Sequence, residues 1–254
     1  MVLVSVCNSS FILKEMAVSF IITLHVQEGI VMASDSRITY NSIRKENGKA
    51  IVDNSIPLTD ASYKTFRAGE GLGISMFGMA NIKGVPMSSY VENFISEKIV
   101  AAKTDIDEVP ALLVDYFHSM PEVPETGFHI AGYKTEGKIR SKRVWRVYIA
   151  NKQIIEVVPE QQLRGAIWDG EQDILIRLFH TDLHVKNGEF EYTPIDTHRI
   201  PFERFTLQDA IDFSVYAVRI TADTMRFQSR PNTVGGAINV LVIKQNESFW
   251  VQRQ

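Results

Sequence analysis

Several short stretches of the chain hold residue types able to do chemistry. Gly29-Ile-Val-Met-Ala-Ser-Asp-Ser-Arg-Ile-Thr39 places an aspartate, Asp35, and an arginine, Arg37, directly after an apolar run. Tyr63-Lys-Thr-Phe66 sets Lys64 in a strand-like tetrapeptide. A serine hydroxyl becomes a nucleophile only when a base takes its proton. His180-Thr-Asp-Leu-His184, followed by Asp196 and His198, holds imidazoles and carboxylates that bind divalent metals in other settings. Imidazoles four apart share a helix face, but histidines and aspartates spaced this loosely in a polar loop are usually solvated. No metal and no cofactor is therefore expected.

The bulk properties narrow the field. A chain of 254 residues with 45% hydrophobic and 22% charged residues falls in the ordinary globular range. A net charge of −3 with interspersed signs gives no stripe for nucleic acid. Six cations lie between Lys134 and Arg146, but they span a hairpin and read as a solvated edge or a subunit contact. Cys7 is the only cysteine, which excludes disulfides and thiolate clusters within the chain and fits a cytoplasmic location. No apolar run approaches the roughly eighteen residues of a membrane span, so no membrane association is expected. The first cation is Lys14, so the start lacks a signal peptide's positive n-region. Residues 1–18 read as a leader, a propeptide or a mis-called start, with Met16 as the alternative initiator.

Hydrophobic periodicity supplies the elements that must position these side chains. Ser19–Val26 and Ile30–Ser34, joined by Gln27-Glu28-Gly29, predict a buried hairpin. Residues 41–62 are polar and predict a loop. Lys64–Arg67 and Gly73–Gly78 predict strands, and Pro86–Ala102 and Val109–Met120 predict helices, with Pro110 tolerable in a first turn. Phe128–Thr135, Val144–Ala150 and Ile154–Val158 predict three strands. Asp169–Phe179 is helical in pattern. Residues 181–205 read as a polar insertion. Thr206, with Asp209 three residues on, predicts the cap of a helix reaching about Phe227, its apolar face formed by Ile211, Val215, Val218 and Met225. Gly235–Ile243 and Ser248–Val251 predict a closing hairpin. Strands, two helices, strands, two helices, strands: that order predicts a single α+β domain over 19–254, a four-layer αββα sandwich of two antiparallel sheets between helical layers.

The segment Gly29–Thr39 also resembles the second strand of proteasome β-subunit-like N-terminal-nucleophile hydrolases. The likeness runs from about Ser19 to Val251, with motifs in the family's order. Asp35 and Arg37 match its post-hairpin pair, Lys64 its lysine on the next strand and Gly78 its oxyanion-hole glycine. Phe128-His-Ile-Ala-Gly132 and Gly235-Gly236 match later motifs. The family's spacing back from Asp35 puts the nucleophile at Ser19. The resemblance implies that processing frees Ser19 as the first residue, whose α-amine, with pKa near 8, takes the hydroxyl proton. Lys64 would stabilise negative charge, Asp35 would hold Lys64, Arg37 would support the site, and the Gly78 amide would donate to the oxyanion, typically worth about 3 kcal/mol.

On that resemblance the chain is expected to be a threonine/serine-type peptidase acting on peptides or unfolded proteins. It would work inside a ring-shaped homo-oligomer, with an unfoldase as a candidate partner; small-molecule amides are a further substrate class. The chain departs from active members at three places. Pro231 and Val234 stand where they carry aspartate and serine, and Val18 where self-processing members carry glycine. These departures favour the alternative, a catalytically inactive relative kept for assembly or partner binding.

Overall fold

Strands β2 (Phe20–Val26) and β3 (Gly29–Ser34) are buried along their whole length, every residue on both faces. A strand can do this only where both faces of its sheet are covered, and a continuous apolar, β-branched run is the sequence form of such a strand. The computed structural model describes residues 12–14, 19–46, 49–137, 139–157, 164–179, 182–186, 189–193 and 198–253. In chain order, β1 (Ile12–Lys14) precedes this hairpin. After it come β4 (Ile38–Glu46), β5 (Lys49–Thr59), β6 (Thr65–Arg67), β7 (Leu72–Gly78) and the short pair β8 (Asn81–Ile82) and β9 (Val85–Pro86). Helix α1 (Met87–Phe94) runs on as a π-helical turn over Ile95–Val100, and α2 (Val109–His118) follows. Next are β10 (Thr126–Glu136), β11 (Ile139–Tyr148), β12 (Gln153–Glu156), β13 (Gly165–Gly170) and α3 (Asp173–Phe179). The chain continues through β14 (Asp182–Lys186), β15 (Glu189–Thr193), a 3-10 turn at Phe202–Arg204 and α4 (Leu207–Arg226), and ends with β16 (Asn239–Ile243) and β17 (Ser248–Gln252).

Two five-stranded antiparallel sheets dominate, in the orders β12-β11-β10-β7-β6 and β13-β2-β3-β16-β17. The chain is thus a mixed α+β protein built on antiparallel sheets. Three apolar clusters show what covers them. Phe94, Val91, Leu113 and Phe117 of the first helices pack with Ile74, Phe128, Ile130 and Val147 of the first sheet. Val218, Ala217, Leu175 and Met225 of α3 and α4 pack with Phe20, Ile22, Leu24 and Val31 of the second. A third cluster joins Ile30, Met32, Leu241 and Ile243 to Ala131 and Val144, strand residues of both sheets.

Tyr133, at the edge of that third cluster, is pushed up to about 12 by burial. A phenol whose folded pKa lies above its unfolded value near 10 adds stability that is present below pH ~10 and lost between ~10 and ~12. Tyr133→Phe is therefore expected to flatten the alkaline fall in urea stability over that window, by about 2 kcal/mol.

Three parts differ from the sequence reading. Residues 41–62, expected as a loop, are mostly the β4–β5 hairpin, to which β1, inside the expected leader, adds a third strand through Ile12↔Ile43 and Lys14↔Asn41. The β-branched residues Ile43, Ile51, Val52 and Ile56 flanking Asn47-Gly48 are a hairpin signature that the surrounding charges obscured. The helix expected over Asp169–Phe179 begins only at Asp173, because Gly165–Gly170 forms β13 on β2 with alternating burial. Within 181–205, β14 and β15 pair antiparallel. The capping box at Thr206 and Asp209 is present. Val218 and Met225 of the expected apolar face are buried, but Ile211 and Val215 sit at its margin, and Ala210, Ser214, Ala217 and Thr221 complete the buried stripe. Small residues let the helix approach the sheet closely.

Candidate active site

The hairpin β2–β3 brings Ser19 and Asp35 together, since Ile21 pairs with Ser34 and the Asp35 N–H donates to Phe20 O at 3.3 Å. Asp35 is fully buried, and four donors converge on its carboxylate. Oδ1 accepts from Lys64 Nζ at 2.8 Å and from Phe20 N at 3.1 Å; Oδ2 accepts from Gly235 N at 3.1 Å and Arg37 N at 3.2 Å. A ring of donors suits the acceptor-only ionised form.

Lys64 is 2% exposed. Its Nζ donates to Asp35 Oδ1 and, at 2.5 Å, to Arg37 O. Burial pushes its ammonium below the ordinary lysine range, opposed chiefly by Asp35. Two of its three N–H groups are thereby used. Lys64 also lines a small cavity together with Ser19, Gly78, Ile38, Met76 and Met79. Ser19 itself is buried, and its carbonyl accepts from Glu171 N at 2.9 Å.

Arg37 stays at the rim. Its guanidinium grips Asp60 in a bidentate pair, Nε–Oδ1 2.6 Å and Nη2–Oδ2 2.8 Å, and lies over the bare Cα of Gly235. Asp60 holds the Arg37 guanidinium above its ordinary value, and Arg37 holds Asp60 below the usual carboxylate range. Gly78 has φ +100°, and a Cβ there would come 2.5 Å from Glu125 O, so packing alone already demands glycine.

The five residues that the resemblance assigns to the site therefore fall in one region, with Ser19, Lys64 and Gly78 on one cavity and Asp35 and Arg37 behind them. Val18 lies outside the described residues, as do His180 and Asp196. Among the described residues no group of three or more His, Cys, Asp or Glu could hold a metal ion. No helix among them is long and apolar enough to cross a membrane. The cations of 134–146 are largely engaged within the chain. Lys134 and Arg143 pair with Asp107, and Arg146 pairs with Asp169.

Several residues of the site have little or no signal in the sequence. Asp60 lies in the segment expected as a loop and carries no signal of its own. Gly170 and Glu171, expected inside a helix, hold the Ser19 backbone; the turn-forming Asp169-Gly170 pair is the one local hint. Thr233 Oγ1 donates to Glu171 Oε1 at 2.8 Å, beside Pro231 and Val234. Val234 is fully buried in the apolar cluster of the second sheet. Compared with models of known protein families the chain matches none, and no curated protein matches it.

Proposed function

We propose that the chain is an N-terminal-nucleophile amide hydrolase of proteasome-like, four-layer αββα architecture, with Ser19 as nucleophile once the preceding peptide is cleaved. The observation that carries this reading is the shared cavity of Ser19, Lys64 and Gly78, with Lys64 held by a four-fold bonded Asp35. In this mechanism the freed α-amine of Ser19 takes the hydroxyl proton and Oγ attacks the amide carbonyl. The Lys64 ammonium stabilises the charge that develops, and the Gly78 amide donates to the oxyanion. The tetrahedral intermediate collapses with cleavage of the C–N bond, the α-ammonium returning its proton to the departing amine. A water deprotonated by the same α-amine then hydrolyses the Ser19 ester to free the carboxylic acid. Arg37 acts through Asp60, anchoring the strand end that carries Asp35. Peptides are the proposed substrates, and a homo-oligomeric ring in the cytoplasm the proposed setting; Tyr216 and Phe227, exposed at α4, support contact through that helix.

Two measurements test it. Intact mass is expected to show a mature chain beginning at Ser19, and Ser19→Ala is expected to lower fluorogenic peptide turnover by on the order of 10⁴-fold or more. A chain that keeps Val18 and turns over no amide supports the second reading, a non-catalytic relative that assembles or binds a partner. That reading is favoured by Pro231 and the buried apolar Val234, which supply neither donor nor acceptor side chains.

A further inference from the structure

One network of buried polar side chains takes no part in the hydrolysis just proposed. Thr23 Oγ1 lies 3.0 Å from His129 Nδ1, and His129 Nε2 lies 2.8 Å from Asp169 Oδ2. The other Asp169 oxygen accepts from Gln172 Nε2 at 3.0 Å and from the Tyr148 hydroxyl at 3.3 Å. Arg146 Nε, 2.6 Å from Oδ2, supplies positive charge without the alignment of a hydrogen bond. Thr23, His129 and Asp169 are at most 1% exposed. No substrate reaches them, so this hydroxyl–imidazole–carboxylate row is not itself a nucleophilic centre.

The network draws on β2 and β13 of one sheet and β10 and β11 of the other. Stability is a weak reason for its presence, because apolar side chains of equal volume generally serve as well as a buried ion pair. Its two ends are more telling. The two residues after Asp169 grip the backbone of residue 19. Gly170 lies so close that a Cβ would sit 1.7 Å from Ser19 O, and Glu171 N donates to that oxygen at 2.9 Å. At the other end the Phe77 ring stands near His129 (6.2 Å between ring centroids) and edge-on to Tyr148 (5.9 Å). Phe77 also lines the Ser19 cavity, immediately before Gly78.

We infer that the Thr23–His129–Asp169–Arg146 network is a positioning device for residue 19. It fixes the Asp169–Glu171 turn that carries the Ser19 carbonyl and the Phe77 ring that forms the facing wall. Its consequence for catalysis rests on the hydrolase reading; its hold on the Ser19 backbone does not.

Asp169→Asn in the full chain keeps the volume and removes the charge that faces Arg146. Hydrogen exchange of the Glu171 amide is expected to quicken roughly tenfold, while the Leu113 amide in α2, in the far helical layer, keeps its rate. Peptide turnover is expected to lose about tenfold or more in kcat, with KM within about twofold, as for a misplaced nucleophile. A folded Asp169→Asn protein with unchanged Glu171 exchange overturns the inference, and so does a rise shared equally by Leu113. Should Asp169→Asn not fold, Gln172→Ala removes a single contact to Asp169. A rise of roughly threefold in Glu171 exchange then supports the inference, and no change overturns it. If the unmodified protein turns over no amide, the hydrolase reading fails by itself, and the exchange rates still decide the positioning role.

Discussion

Replacing Lys64 by methionine is expected to destabilise the protein by about 3–5 kcal/mol, and to lower any turnover at Ser19 by on the order of 10²–10³-fold. The stability loss follows from what stays behind. Asp35 is fully buried and meets one side-chain cation directly, so removing the ammonium leaves a carboxylate with backbone donors alone. Breaking a buried pair from one side costs several kcal/mol because the remaining charge is uncompensated. The Arg37 carbonyl also loses its 2.5 Å donor. Methionine matches the lysine stem in length, so lost packing adds little. The double substitution Lys64→Met with Asp35→Leu should recover part of the stability, since replacing both partners by apolar groups avoids the orphaned charge. Turnover should not return, because a charge-stabilising group of this kind contributes on the order of 10²–10³-fold. Urea unfolding of the three variants checks the first statement and peptide turnover the second. A Lys64→Met protein as stable as its parent would show that the Lys64–Asp35 contact is not held in solution.

The second large effect is expected at Gly170. Its φ of +93° lies in the region that favours glycine, and a Cβ would come 1.7 Å from the Ser19 carbonyl oxygen and 2.6 Å from its carbon. Gly170→Ala must therefore bear a backbone cost of about 1–2 kcal/mol and displace the residue proposed as nucleophile, a further overpacking cost of about 1–3 kcal/mol. Gly71 provides the comparison. Its φ is +75°, but nothing lies within 4 Å of its Cβ position, so Gly71→Ala should show the backbone cost alone. The difference in unfolding free energy between the two variants measures the clash with Ser19. Equal values for both would mean that the contact between Gly170 and Ser19 is absent in solution.

Much of the architecture was legible because it is local. The continuous apolar, β-branched runs of Phe20–Ser34, the period of Met87–His118 and the Thr206–Asp209 capping box are set by residues within a few positions of one another. Chains of this kind carry their own periodicity. The β4–β5 hairpin escaped because charged residues mask its β-branched positions, and β13 escaped because its six residues are followed at once by a helix. Asp35, Lys64 and Gly78 stand out only through the family resemblance; spacing alone gives no reason to join positions 19, 35, 64 and 78.

From its residues alone the chain determined a buried hairpin ending in Asp35 and Arg37, a lysine on a following short strand, and a pattern of interspersed charge. The tertiary structure decided what those groups meet: Lys64 on Asp35 and Arg37 O, Arg37 on Asp60, Glu171 on Ser19 O, and His129 on Asp169. Ser19 and Glu171 are 152 positions apart, and Asp35 and Gly235 are 200 apart. Contacts of that range are set by the register of paired strands and the stacking of one sheet on another. Those depend on the whole fold at once, and no local run of sequence contains them.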